Sequence, residues 1–204
     1  ITDWVYEEAF SVTNLMAWSP NSECLAFVRF DESEVPEYSM QMYGNGTYPD
    51  YYNFKYPKAG ERKSTVTLHA YDVMTKDTKE LKVPNNNGYY IPRITFTTQD
   101  DQLAVMTLNR QQNQFNMYYA NPKSGVFRLV LQETNKYYVD SEWLTSIHFM
   151  KNGFTYVSEQ DGYAHIYLYS PTGVMQRQIT QGNWDVTDFI GMDEATGTVY
   201  YQSA

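Results

Sequence analysis

The sequence predicts an all-β protein, a partial β-propeller built from four-stranded antiparallel blades. Three observations predict it. Apolar residues come in short alternating runs rather than at helical spacing. Turn-forming pairs separate those runs at a regular beat. One strand–turn–strand pattern then recurs along the 204 residues, at a period of roughly 40 to 50 residues, which is the mark of a propeller.

The strands are legible in order. Residues 25–30, 66–71, 103–108 and 153–157 are apolar and alternating. Between them stand Pro20-Asn21, Asn87-Gly88, Asp100-Asp101, Asn152-Gly153, Asp161-Gly162 and Thr196-Gly197, the pairs that turn a chain. No run of helical spacing lasts three turns. Aromatics make up 17% of the chain, with 20 Tyr, and tyrosine fits a pleated, half-buried surface. Hydrophobic residues reach 42%, enough for a real core.

The repeat assigns these strands to blades. Residues 16–27, 94–105 and 147–156 are each strand, polar turn, strand. A fourth unit opens at 189–193 and closes at 198–201. A second hairpin follows each of the first three, as in 164–169, the turn Ser170-Pro171-Thr172-Gly173, and 174–179. The expected blades are therefore 11–83, 91–133, 144–180 and the start of another over 186–204, all in one propeller domain spanning 1–204. About four blades is the low end of what closes a ring. The chain is expected to be an internal piece of a larger ring.

The first blade is too long for the period. Its surplus, an arm over residues 35–60, is rich in Tyr and Pro and has little core pattern. Long insertions in compact domains are usually functional or disordered. Aromatics such as Tyr48, Tyr51, Tyr52 and Tyr56 favour a contact surface.

The formal charge is −9. That argues against nucleic acid or anionic membrane as a partner and suits a cationic ligand. The single cysteine, Cys24, has no internal disulfide partner and sits in an apolar run as a small hydrophobe. No stretch reaches the length of a membrane helix, and no leader pattern is present.

The sharpest local feature is Glu7-Glu8, set behind Trp4, Val5 and Tyr6. Adjacent carboxylates repel and stabilise a cation placed beside them. The plainer reading is a solvated acidic turn. Other patterns carry no chemistry. No Gly-x-Ser-x-Gly turn exists, so no catalytic residue is expected in these residues. His69, His148 and His165 lack clustered ligand spacing, so neither metal nor cofactor is expected. Residues 60–65 have the wrong spacing for a phosphate loop. Asn45-Gly46-Thr47 matches a glycosylation sequon that is short enough to arise by chance.

Several ordered segments carry a resemblance. They are Asp3-Trp4-Val5-Tyr6-Glu7-Glu8, Trp18-Ser19-Pro20-Asn21, Glu34-Val35-Pro36 with Tyr38-Ser39, Tyr48-Pro49, and Tyr56-Pro57-Lys58-Ala59-Gly60. Asp161-Gly162-Tyr163-Ala164-His165-Ile166 and residues 180–186 follow. Across nearly the whole chain the sequence resembles the propeller of the dipeptidyl peptidase IV family of serine exopeptidases.

The resemblance implies a parent protein whose α/β-hydrolase domain lies beyond Ala204 and cleaves after Pro or Ala. It implies peptide substrates with a free N-terminus, held by Glu7 and Glu8, and a homodimer held partly by the arm. It suggests a periplasmic, secreted or cell-surface location. An α-ammonium has three donors and a carboxylate only accepts, so two carboxylates can saturate one substrate terminus. The family's bacterial members often carry three glutamates before the Phe, and here the third position is Ala9. Alignment backwards from Phe10, the preferred one, keeps Glu8 of the anchoring pair and leaves room for tripeptide release. Alignment forwards from Tyr6 keeps Glu7 and Glu8 together. The family's mammalian Arg-containing segment has no match around Ser141-Glu142-Trp143. The rival reading is a non-enzymatic propeller that binds protein partners through the aromatic arm.

Overall fold

The computed structural model of the chain describes residues 2–84 and 88–204. Asn87 of the expected turn pair and Ile1 at the head of the glutamate segment lie outside the described residues.

The chain opens with a short helix, α1 (Trp4–Phe10). The first blade follows with β1 (Met16–Trp18) and β2 (Cys24–Asp31). The arm strands β3 (Glu37–Met42) and β4 (Asp50–Lys55) come next, and the blade resumes with β5 (Thr65–Asp72) and β6 (Thr78–Leu81). Its sheet runs β1-β2-β5-β6. The second blade is β7 (Tyr90–Phe96), β8 (Leu103–Leu108), β9 (Gln114–Ala120) and β10 (Phe127–Thr134). A 3-10 helix over Ser141–Ser146 leads into the third. That blade is β11 (His148–Met150), β12 (Gly153–Ser158), β13 (His165–Tyr169) and β14 (Met175–Gln178). A two-stranded unit, β15 (Val186–Asp193) with β16 (Thr198–Ser203), completes the described residues. The three full sheets pair each strand with its neighbour antiparallel. This is the all-β, four-stranded-blade class expected from the sequence.

The burial of each strand follows its place in the blade. β8 and β12 are buried at every position, because they lie mid-sheet with both faces covered, and such strands need apolar residues throughout. The outer strands β6 and β14 are polar and largely exposed. Cores form between blades rather than within them. One joins Ala26, Val28 and Leu68 of the first blade to Ile91, Leu103 and Val105 of the second. Another joins Met106, Phe115 and Met117 to Phe154, Tyr156 and Tyr167 of the third. A smaller one packs Val157 and Ile166 against Val186.

One glycine shows how close the blades come. Gly173 closes the β13–β14 turn at φ +89°, and a Cβ there would stand 1.8 Å from the Val130 carbonyl oxygen of β10. Only glycine tolerates both that backbone and that approach.

Two features depart from the sequence reading. The first is α1 itself, where no helical run was expected. Seven residues are too few to show a helical period, and the helix rests on its caps instead. The second is the arm, which has strand order of its own. It is a hairpin in register from Glu37↔Lys55 to Met42↔Asp50. Its alternation escapes notice because all six residues of β3 are exposed, so no buried face separates apolar from polar positions.

Candidate functional site

The glutamate pair is presented by α1, and the sequence around it explains why a seven-residue helix holds. Asp3 is the N-cap and its side chain accepts from the Tyr6 N–H at 2.9 Å, satisfying a donor that the first turn leaves free. Ser64, just before the third strand of the first blade, donates its hydroxyl to the other Asp3 oxygen. Ser11 closes the helix in the left-handed region at φ 53°, and its N–H reaches the Glu7 carbonyl at 3.0 Å. The Thr2 hydroxyl donates to the Val12 carbonyl, tying the two ends of the segment together.

Tyr6 is the anchor. It is 1% exposed and packs edge-on against Phe30 at 4.9 Å between centroids, with Phe10 at 5.4 Å and Tyr90 at 5.9 Å. Its hydroxyl accepts from the Ile91 N–H at 2.8 Å. Burial pushes its phenol far above the ordinary range, partly offset by that backbone hydrogen bond, so the ring stays neutral. One side chain therefore fixes α1 across the junction of the first two blades.

With Tyr6 and Phe10 turned inward, Glu7, Glu8 and Ala9 are exposed. Successive helical residues are about 100° apart, which turns Glu8 away from the packed side and Glu7 to one flank. Neither carboxylate has a hydrogen bond or an ion pair within the protein among the described residues. Two charges held on a pinned backbone with no internal partner can take an external cation.

Trp4, one turn before Glu8, leans on the arm. Its ring lies 5.1 Å from Phe54 and 5.4 Å from Tyr56. Tyr38 joins both at 5.8 and 5.7 Å, and the Lys58 ammonium sits 4.7 Å over the Tyr38 ring. The predicted arm residues therefore divide. Tyr48, Tyr51 and Tyr52 are 86%, 62% and 61% exposed, on the projecting part. Tyr56 is half-buried and belongs to the root, against α1. Sequence reasoning passed over Trp4, Tyr6 and Asp3 as site residues. An Asp directly before an apolar run is a recognisable helix start, and Asp3 ahead of Trp4-Val5-Tyr6 is such a signal.

The histidines stand in packing roles. His165 is fully buried between the Thr180 hydroxyl at 3.1 Å and the Gly182 carbonyl at 3.0 Å. His69 stacks on Phe27 at 5.4 Å. Among the described residues no cluster of three potential metal ligands occurs, and no helix is long and apolar enough to cross a membrane.

Fold and site together define a β-propeller region that presents an acidic helix at one end of its blades. Its family follows from comparison with known proteins. Residues 1–204 match the family model described as dipeptidyl peptidase IV (DPP IV) N-terminal region, and the chain belongs to that family. Among solved structures it is similar to Porphyromonas gingivalis dipeptidyl peptidase 4, at 60% identity and a TM-score of 0.94. That match covers 100% of this chain and 29% of that one. A putative dipeptidyl aminopeptidase IV from Bacteroides ovatus superposes with a TM-score of 0.81 at 24% identity, covering 97% of this chain and 31% of that one. Among curated proteins, the probable dipeptidyl peptidase 4 of Aspergillus flavus is 26% identical over 223 residues, covering all of this chain and 28% of that protein. The chain thus spans under a third of the relatives it matches.

Proposed function

We propose that this chain is the substrate-selecting propeller region of a serine exopeptidase, a dipeptidyl or tripeptidyl peptidase acting after Pro or Ala. In this reading Glu8, with Glu7 beside it, binds the free α-ammonium of a peptide. The hydrolase domain of the same parent chain performs the cleavage, and the arm joins two copies.

The observation that supports it best is the state of α1. The helix is capped at both ends and pinned through Tyr6, while both carboxylates point outward without partners. A preorganised acceptor does not have to break internal bonds to take its ligand. A substrate ammonium engaging two carboxylates makes charge-assisted hydrogen bonds, the strong kind. A blocked or internal peptide offers no cation at that point, so the site measures distance from the N-terminus.

The test uses the full-length parent. Glu8→Gln keeps shape and removes charge. Truncating one partner of a desolvated charge pair costs roughly 2 to 5 kcal/mol, so kcat/KM should fall at least about thirtyfold. N-acetylated peptides should be poor substrates for the wild type and little affected by the substitution. Ala9→Glu should sharpen dipeptide over tripeptide release if Glu8 acts with position 9. It should leave that preference unchanged or worse if Glu7 and Glu8 already act together. Full activity of Glu8→Gln in an enzyme that still rejects blocked peptides would falsify the reading.

A further inference from the structure

A second charged feature lies at the same end of the blades as α1, and it is basic. β1 and β5 both pair antiparallel with β2, so they run the same way and begin at the same end. Lys63 and Ser64 precede β5, and the Ser64 hydroxyl reaches the Asp3 cap of α1. Tyr90 begins β7 and pairs with Leu108, the end of β8, which brings the β8–β9 turn and Arg110 to that end too. Between these segments is a cleft of about 380 Å³ lined by Arg62, Lys63, Thr65, Thr67, Tyr89 and Arg110, with Glu34 at one side.

The charges in this cleft do not balance. Glu34 is taken by Arg62. Lys63 has no carboxylate partner among the described residues. Its ammonium donates to the Tyr89 carbonyl at 3.1 Å and sits 4.5 Å over the Tyr90 ring. Arg110 donates to the Glu61 carbonyl at 2.7 Å, which leaves most of its five donors free. Burial lowers the Lys63 pKa, and the neighbouring Arg110 lowers it further, with Asp3 opposing. Half-buried Lys63 and exposed Arg110 line one cleft, and two neighbouring cations, in a chain of net charge −9, are stabilised by an anion between them.

We propose that this cleft binds a carboxylate of the substrate peptide, an acidic residue lying beyond the cleaved bond, through Lys63 and Arg110. The inference rests on the reading of Glu7 and Glu8 as the N-terminus site and extends it to a substrate class. The cleft adjoins the packed side of the helix that carries the glutamates, since the Tyr90 ring under Lys63 stands 5.1 Å from Phe10, the last residue of α1. An extended peptide advances about 3.3 Å per residue, so the position of the favoured acid along the peptide measures the span from the glutamates to the cations. Arg110 offers the planar fork that fits a carboxylate, and Lys63 supplies a point charge.

A ladder of peptides tests this on the full-length parent. Each has the same free N-terminus and cleaved bond, and each carries one Asp at residue 3, 4, 5 or 6 in place of Asn. The readout is the Asp/Asn ratio of kcat/KM within each protein, which does not depend on how much of a variant is folded. One rung should be favoured about five- to tenfold in the wild type, and the ratio should fall toward unity as salt is raised. Arg110→Gln and Lys63→Met should each bring it below about twofold. Lys63→Arg should retain most of it, because only the charge is required at that position. Equal rates along the whole ladder, or a preference that survives both charge removals, would overturn the carboxylate site. Glu8→Gln on the all-Asn peptide reports separately on the N-terminus. An enzyme indifferent to Glu8 but still selective for Asp would reject that earlier reading and keep this one.

Discussion

Tyr6 carries more of the site than either glutamate. Its ring fills the junction of two blades and its hydroxyl satisfies the Ile91 N–H. Tyr6→Phe keeps the ring and strands that donor in the interior. The expected cost is about 1 to 3 kcal/mol, read as a lower urea midpoint with an unchanged slope. Tyrosines also set the behaviour in alkali. Burial pushes Tyr119 and Tyr167 up to about 12, and Tyr6 and Tyr156 rise further for the same reason. An unfolded tyrosine titrates near 10. With folded pKa values raised, the stabilising contribution is full below about pH 10. It is lost as pH rises from there through the folded values, because the unfolded state releases protons first. Denaturant midpoints taken from pH 8 to 11.5 should be level at first and fall beyond pH 10. A midpoint that rises over that last interval would contradict this account.

At the scale of elements, α1 and the arm work as one assembly. Trp4 rests on Phe54 and Tyr56, and the root of the arm is closed by the Tyr38–Lys58 contact and the Lys55–Val35 carbonyl bond at 3.0 Å. Beyond the root, Met40, Met42, Tyr43, Tyr48, Tyr51 and Tyr52 stay exposed. Exposed apolar patches of that kind mark contact surfaces. Deleting residues 37–56 from the parent and rejoining the chain should convert a dimer to a monomer by light scattering, if the arm joins two copies. An unchanged mass would count against the arm as the dimer contact. Tyr56 and Phe54 leave with the deletion, so Trp4 loses its support and KM should rise as well.

At the scale of the whole chain, the blades hold one another rather than themselves. The cores lie between sheets, and contacts as close as Gly173 on Val130 leave no slack. The fourth unit has two strands where the others have four. In the proposed reading the site at one end binds and orients, and no nucleophile elbow occurs in the sequence. The 204-residue chain by itself is therefore expected to show no saturable turnover of a chromogenic Xaa-Pro substrate. Turnover in a preparation proven free of host peptidases would place catalysis inside the propeller and overturn the division of labour proposed above.

The sequence by itself determined the class of fold. Strands such as β2, β5, β8 and β12 announce themselves because one or both faces must be apolar, and that demand is written residue by residue. It also determined the family, through segments that keep their order along the chain. It marked Glu7 and Glu8 as a candidate cation site but could not say what held them. A seven-residue helix leaves no period to read, and beyond its own cap Asp3 its stability comes from Ser64, Ile91 and Phe30, which are distant in sequence. The pairing of α1 with the arm root, and the meeting of Lys63 with Arg110, were decided only by the tertiary structure. Both depend on which ends of separate strands face the same way. That is fixed by antiparallel pairing and inter-blade packing, and no local pattern encodes it.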